Sequence, residues 1–343
     1  MAGSTLVCRF DVWYDPSMAE RLAQEPGIEL RTLRRHGADD EAWSALSEAG
    51  VYQISSAKDE LPRQFFADAR LLARCPRLLC VSANGAGYDT VDVEACTEAG
   101  VLVVNQAGAN AQAVAEAAIA LMLNLSRRIV EADRRLHIER GFSREDLMGQ
   151  EISGKTLGLI GIGHIGRAVA RLAAAFGMEV LVHDPLLDGA EIAARGGLSV
   201  ALDELLARSD VVSVHCPRDA STLGLFDAET FARMKQGAVF INTARGGIHD
   251  EVALYEALRS GHLRGAGLDV WEQEPPPLDH PLLGLPHVVA GFHTAGVTQE
   301  ARWRMAFGAA EQIVAVLRGE RPARLVNPQA WQAWRARFAG HPA

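Results

Sequence analysis

Residues 156–184 read TLGLIGIGHIGRAVARLAAAFGMEVLVHD. An apolar run enters Gly161-x-Gly163-x-x-Gly166, an Ala-rich helical pattern follows, and a second apolar run ends in Asp184. A glycine triplet alone would specify only a tight turn. With strand, helix, second strand and acid in register, it specifies a βαβ unit with a job for each part. Gly161 allows the turn, Gly163 lets a pyrophosphate approach the backbone, and Gly166 lets helix and strand pack closely. The helix N-terminus offers unpaired N–H groups and partial positive charge to a phosphate. Asp184 lies 18 residues after Gly166, where a carboxylate can accept hydrogen bonds from ribose hydroxyls. The segment is expected to bind a dinucleotide. Pro-Leu-Leu-Asp follows Asp184, with no Arg or Lys for a 2′-phosphate, so NAD (NADH in the reductive sense) is favoured over NADP.

The rest of the chain repeats this alternation. Before the loop, β-rich runs at 5–13, 28–33, 51–57, 78–83 and 101–105 are separated by segments with apolar residues at helical spacing. A second series, from Gly154, has runs at 156–161, 179–183, 210–215, 237–242, 265–271 and 287–291. Strands alternating with helices predict an α/β fold built on parallel sheets. Residues 111–139 read as one long helix, Ala-rich and apolar on most faces in its first half, hence buried within a domain or between subunits. Residues 140–153 read as an exposed connector, and 298–318 as helix. In the tail, Trp331, Trp334 and Phe338 share one helical face, which would dock on its own domain or cover a cleft.

Composition narrows the function. The 343 residues suggest two domains. With 34 Lys and Arg against 43 Asp and Glu the net charge is −9, the wrong sign for a nucleic-acid partner. The longest apolar stretch, 113–123, is cut by Glu116, so no membrane span is expected. The opening MAGSTLVCRFDVW lacks a basic segment before a long apolar run, so no secretory leader is expected. Five cysteines without a CxxC pair (8, 75, 80, 96 and 216) point to buried free thiols, a cytoplasmic setting and no metal site.

Ligands of open α/β sheets sit beyond the carboxyl ends of the strands. There the later runs place Arg245 after AVFINTA, Glu274 in the acidic turn after GLDVW, and His293 after VVAGF. Taken singly, each would be ordinary surface or structural polarity. Together they supply what hydride transfer to a carbonyl requires. The imidazole titrates near neutrality, a carboxylate beside it raises its pKa, and a planar guanidinium grips a carboxylate and polarises a carbonyl.

These motifs resemble the D-isomer-specific 2-hydroxyacid dehydrogenases over about residues 50–320, through GIGHIG, INTARGG, DVWEQEP, GFHTAG and the substrate loop NGAGYDTVDV. The resemblance implies two Rossmann-like or flavodoxin-like parallel-sheet domains separated by an active-site cleft. A substrate domain would comprise 1–107 plus 298–343, and an NAD-binding domain 108–297, with hinges near Asn105–Gly108 and Thr294–Gln299. It implies that Arg245 anchors and polarises the substrate, that His293 is the acid/base and that Glu274 is its partner. Gly161, Gly163, His164, Ile165, Gly166, Asp184, Thr243, Ala244 and Asp269 match cofactor-contacting positions. Asn84, Gly85, Ala86 and Gly87 match the substrate loop, with the N–H groups of Ala86 and Gly87 on the substrate carboxylate. The long helix resembles a dimerisation element, which implies a homodimer. The reaction implied is reversible reduction of a small-molecule 2-oxo acid to a D-2-hydroxy acid, the reductive direction weakening as pH rises. The alternatives are phosphite-dehydrogenase-like oxidation of a small anion and a catalytically weak, NAD(H)-binding corepressor-like protein.

The sequence also departs from the family pattern. Phe292 and Thr294 flank the histidine, Asn84 and Tyr88 flank the substrate loop, Trp271 replaces the commoner Phe or Tyr, and Ala118 stands where His is frequent. None removes a chemical group from the mechanism. Asn84, Tyr88 and Phe292 are expected to shape the substrate pocket. The chain ends about 50 residues after His293, so no amino-acid-binding regulatory domain is expected.

Overall fold

The computed structural model describes residues 4–340. They form two compact units: residues up to Asn110 with those from Thr298 onward, and Ala111–Val297.

The first unit is a five-stranded parallel sheet of β1 (Thr5–Phe10), β2 (Ile28–Leu33), β3 (Val51–Ile54), β4 (Cys80–Ala83) and β5 (Leu102–Val104), in the order β2-β1-β3-β4-β5. This is the flavodoxin-like order. Strands β3, β4 and β5 are buried on both faces, which is why they read as mostly apolar runs, whereas edge strand β2 is half exposed. One face packs Phe10, Tyr52 and Phe65, with the Phe10 and Phe65 rings 4.7 Å apart. The other buries Val7, Val51, Cys80 and Leu102 against the helix Gln299–Leu317. The tail forms the helix Trp331–Ala339, and its aromatic face docks on this unit. Trp334 is fully buried, stacked between Trp331 and Phe338 at 4.9 and 4.8 Å.

The second unit is a seven-stranded parallel sheet of β6 (Thr156–Ile160), β7 (Glu179–His183), β8 (Leu198–Ser199), β9 (Val211–Val214), β10 (Val239–Asn242), β11 (Gly265–Leu268) and β12 (Val288–Ala290). The two-residue edge strand β8 is too short to leave a periodic signal in the sequence. The order β12-β11-β10-β9-β6-β7-β8 reverses at β6, so the switch point lies between β6 and β9. Such a point opens a crevice at the carboxyl ends of the strands.

The long helix expected over 111–139 is instead two, Ala111–Arg127 and Ile129–Ile138, broken at Arg128, whose φ is 55°. In a continuous helix the Ser126 carbonyl would accept the N–H of residue 130. Here it accepts Gln150 N–H at 2.7 Å. The Arg128 guanidinium pairs with the Glu131 carboxylate and donates to the Asp146 carbonyl at 2.5 Å. The connector 140–153 is mostly exposed, but its Gly149 lies so close to the helix end that a Cβ there would stand 2.6 Å from Ser126 O. Long-range hydrogen bonds therefore end a helix that local propensity would extend. The first of the two helices buries Ala115, Ala118, Ile119 and Met122 in this unit's core, and the second has no buried residue.

Candidate active site

The glycine loop follows β6 and leads into the helix His164–Ala175. Gly161 has φ 89°, and a Cβ on it would press on the backbone of His215 and Cys216 at 3.1 Å. A Cβ on Gly166 would lie 2.2 Å from Gly161 O, so only glycine lets the helix seat here. By contrast, nothing stands within 4 Å of a Cβ at Gly163, which leaves open space over the helix N-terminus. Asp184 follows β7. Its Oδ2 accepts the Ile162 N–H at 3.0 Å and its Oδ1 the Leu186 N–H at 3.1 Å, so this carboxylate also holds the loop. The Arg195 guanidinium donates to the Ile162 carbonyl at 3.2 Å. The sequence shows no cation in the four residues after Asp184, and Arg195, further along the chain, reaches the loop only through the fold.

After β10, the Asn242 side chain holds the turn, accepting Ala244 N–H at 2.9 Å and donating to the Arg245 carbonyl at 2.9 Å. Arg245 Nη1 donates to the Ala244 carbonyl at 2.7 Å. A Cβ on Gly246 would fall 1.8 Å from Trp271 O, so Gly246 lets this turn approach the segment after β11. The Thr243 hydroxyl is buried and has no partner. His164 is exposed at the helix start beside Arg167, and Ile165 packs half-buried on the core.

The segment after β11 organises His293. Asp269 is 4% exposed, and its carboxylate accepts the N–H groups of Thr294 at 3.0 Å and Ala295 at 2.8 Å. Its carbonyl accepts the His293 N–H at 2.7 Å. These bonds fix His293 with φ 50°, a backbone conformation uncommon for a residue with a side chain. A Cβ at Gly291 would lie 2.3 Å from Asp269 Oδ1. Glu274 Oε2 lies 2.7 Å from His293 Nδ1, and Glu274 Oε1 accepts the Trp271 N–H at 3.1 Å. Trp271 is buried and its indole N–H donates to Gly291 O at 3.0 Å, so it braces both the glutamate and the histidine strand. In the sequence Trp271 is only an unusual aromatic. Its position beside the acidic turn was the available signal for this bracing role.

The electrostatics follow from these contacts. The Glu274 hydrogen bond raises the His293 pKa, and together with Glu274's charge it outweighs burial and the nearby Arg245. Burial works to raise the Glu274 pKa, but the His293 bond and charge and the Trp271 N–H hold it below the usual range. Burial also raises Asp269, against the two N–H groups that it accepts. His215, after β9, is pushed down to about 3 by burial and is neutral.

All these residues lie on one edge of one sheet. The chain matches a family model described as "D-isomer specific 2-hydroxyacid dehydrogenase, NAD binding domain" over residues 119–295. It belongs to the D-isomer specific 2-hydroxyacid dehydrogenase family. Among members of this family, it is 46% identical to the D-3-phosphoglycerate dehydrogenase of Mycobacterium leprae over 279 residues, 81% of this chain and 51% of that one. It is 41% identical to the glyoxylate reductase of Korarchaeum cryptofilum over 267 residues, 76% of this chain and 80% of that one. The crystal structure of a glyoxylate reductase from Paecilomyes thermophila is similar with a TM-score of 0.83 and 30% identity, covering 96% of this chain and all of that one. The chain spans about half the length of the phosphoglycerate dehydrogenases that it matches.

The site fits the nicotinamide dinucleotide that this family's domain is named for. The open space at Gly163, the helix N-terminus, the Asp184 carboxylate and the orphaned Thr243 hydroxyl offer what a pyrophosphate and ribose require. In the first unit, the substrate-loop positions 84–87 follow β4. The Gly85 carbonyl accepts Gln106 N–H at 2.8 Å and the Ala86 carbonyl accepts the Asn105 amide at 2.7 Å. With its carbonyls tied down, the loop has the N–H groups of Ala86 and Gly87 left to offer.

Proposed function

We propose that this chain is an NAD-dependent dehydrogenase that reversibly reduces a 2-oxo acid to a D-2-hydroxy acid. The observation that carries the reading is the 2.7 Å pair of His293 and Glu274 on the sheet edge that also bears the glycine loop. When bound, NADH supplies the reducing equivalent delivered to C2 of the substrate. Arg245 binds the substrate carboxylate and polarises the C2 carbonyl, and the N–H groups of Ala86 and Gly87 are the first unit's donors for a carboxylate. His293, protonated through Glu274, gives its Nε2 proton to the C2 oxygen in reduction and takes it back in oxidation. Asp269 positions His293 by holding the turn on which it sits. Asp184 accepts the ribose hydroxyls, which favours NAD over NADP because a 2′-phosphate would face its charge.

The assignment extends to assembly and setting. Two copies pair through the helix Ile129–Ile138, where Ile129, Leu136 and Ile138 are exposed, and Met148 lies exposed in the following connector. The five unpaired thiols, four of them buried, suit a reducing cytoplasm. The test is NADH oxidation at neutral pH with glyoxylate, hydroxypyruvate, pyruvate, phenylpyruvate and 2-oxoisocaproate, and phosphite with NAD in the reverse sense. Rapid turnover of one 2-oxo acid supports the reading. Silence across the acids with NADH binding intact overturns it.

A further inference from the structure

A fully buried histidine, His249, lies four residues beyond Arg245 and takes no part in the chemistry proposed above. Its ring centre is 5.4 Å from that of Phe240 on β10. Its Nδ1 stands 3.0 Å from Asn242 Nδ2. Its Nε2 is buried with no partner.

The backbone decides the polarity of this contact. Asn242 Oδ1 accepts Ala244 N–H at 2.9 Å, and Asn242 Nδ2 donates to the Arg245 carbonyl at 2.9 Å. An N–H can only donate and a carbonyl can only accept, so the amide has one orientation. Nδ2 therefore donates its second hydrogen to His249 Nδ1, which must carry a lone pair. The ring is neutral, with its proton on Nε2. Burial favours the same form, pushing the His249 pKa down to about 4. The Nε2 proton has no acceptor, and a buried donor left unpaired carries the cost of its desolvation. An apolar side chain would escape that cost but would leave Asn242 short of a partner. What the imidazole adds is one acceptor, aimed at Asn242.

Two turns hang on Asn242. Its side chain closes the turn at Ala244 and Arg245, and its main-chain carbonyl accepts Asp269 N–H at 3.0 Å. The Arg245 guanidinium donates to the Ala244 carbonyl at 2.7 Å. A slack Asn242 amide would let the turn rotate and carry this anchor of the guanidinium with it. We propose that His249 is a positioning residue for substrate binding: it holds the Asn242 amide, and through it the turn that aims Arg245 at the substrate carboxylate. The proposal rests on the dehydrogenase reading, in which Arg245 binds that carboxylate.

The experiment measures NADH-dependent reduction of glyoxylate, hydroxypyruvate and pyruvate, and follows the acid that wild type uses best. His249→Phe keeps a ring and removes the acceptor. His249→Leu removes it with a smaller side chain, should the first variant not fold. Each should raise the KM for the acid by about three- to tenfold, the worth of one hydrogen bond, and leave the KM for NADH within about twofold. His249→Asn returns an acceptor near the place of Nδ1 and should recover most of the loss. A merely packing role predicts the reverse, with His249→Phe close to wild type and the smaller Asn damaging. A double-mutant cycle tests the route. If His249 acts through Asn242, adding His249→Phe to Asn242→Ala should raise the KM for the acid no further. Should Asn242→Ala not fold, the contrast between His249→Phe and His249→Asn decides the matter alone. An unchanged KM for the acid in the folded variants, an equal rise in both KM values, or a full added effect in the double variant overturns the positioning role while the dehydrogenase reading stands. Failure of wild type to reduce any of the three acids while still binding NADH overturns that reading, and the role with it.

Discussion

His293 Nδ1 lies 2.7 Å from Glu274 Oε2, and the contact fixes both the charge of the ring and the direction in which Nε2 is presented. The side chain of His293 remains 41% exposed, so its proton can exchange with solvent and substrate.

The pair sets a pH dependence. Because Glu274 raises the His293 pKa, the protonated ring persists to higher pH than a free imidazole. Reductive kcat/KM should be highest below that raised pKa and fall as pH rises through it, with the oxidative direction showing the opposite trend. In Glu274→Gln the supporting charge is gone, and the descending reductive limb should move to lower pH. A pH–rate profile of the two proteins tests this. A limb that stays in place would remove Glu274 from the role.

His293→Ala should lose about 10²- to 10⁴-fold in kcat, the usual contribution of a positioned acid/base, while NADH still binds. Stopped-flow turnover alongside fluorescence titration with NADH separates the two effects. Near-full turnover in this variant would end the assignment.

Gly291→Ala probes the scaffold under the histidine. Its new Cβ would stand 2.3 Å from Asp269 Oδ1, so Asp269 must shift and release the Thr294 and Ala295 N–H groups. The expected result is a loss of about 1–3 kcal/mol in stability and a fall in kcat, with the KM for NADH little changed. Thermal unfolding and initial rates report both.

Asp184 holds the Ile162 N–H and, on the proposed function, also accepts the ribose hydroxyls. Asp184→Ala should raise the KM for NADH by about tenfold and improve the relative use of NADPH. Asp184→Asn keeps an acceptor for the Ile162 N–H and should perturb the loop less. Kinetics with both cofactors decide the matter, and an unchanged preference in the alanine variant would deny Asp184 the role.

Trp334→Ala should destabilise the first unit by about 3–5 kcal/mol, because a fully buried ring between two stacked aromatics leaves a large void. Chemical denaturation measures it. A loss well under 1 kcal/mol would mean that the tail helix is not part of this core.

Much of this architecture is legible along the chain because it rests on local patterning. Strands buried on both faces are mostly apolar, so β1, β3, β4 and β5 announce themselves, as does the loop from Gly161 to Gly166, at both ends of which only glycine fits. Arg245, Glu274 and His293 could be singled out because each lies in the segment that leaves a strand, and parallel strands bring their carboxyl ends to a common edge. What the chain alone could not decide depends on groups far apart in it. The helix breaks at Arg128 because Gln150 takes the Ser126 carbonyl. Asp184 ties down the loop, Arg195 joins it, and Trp271 braces both Glu274 and Gly291. Periodicity records which face of an element is buried, and only tertiary structure decides which polar atoms then meet and which are left waiting for a partner.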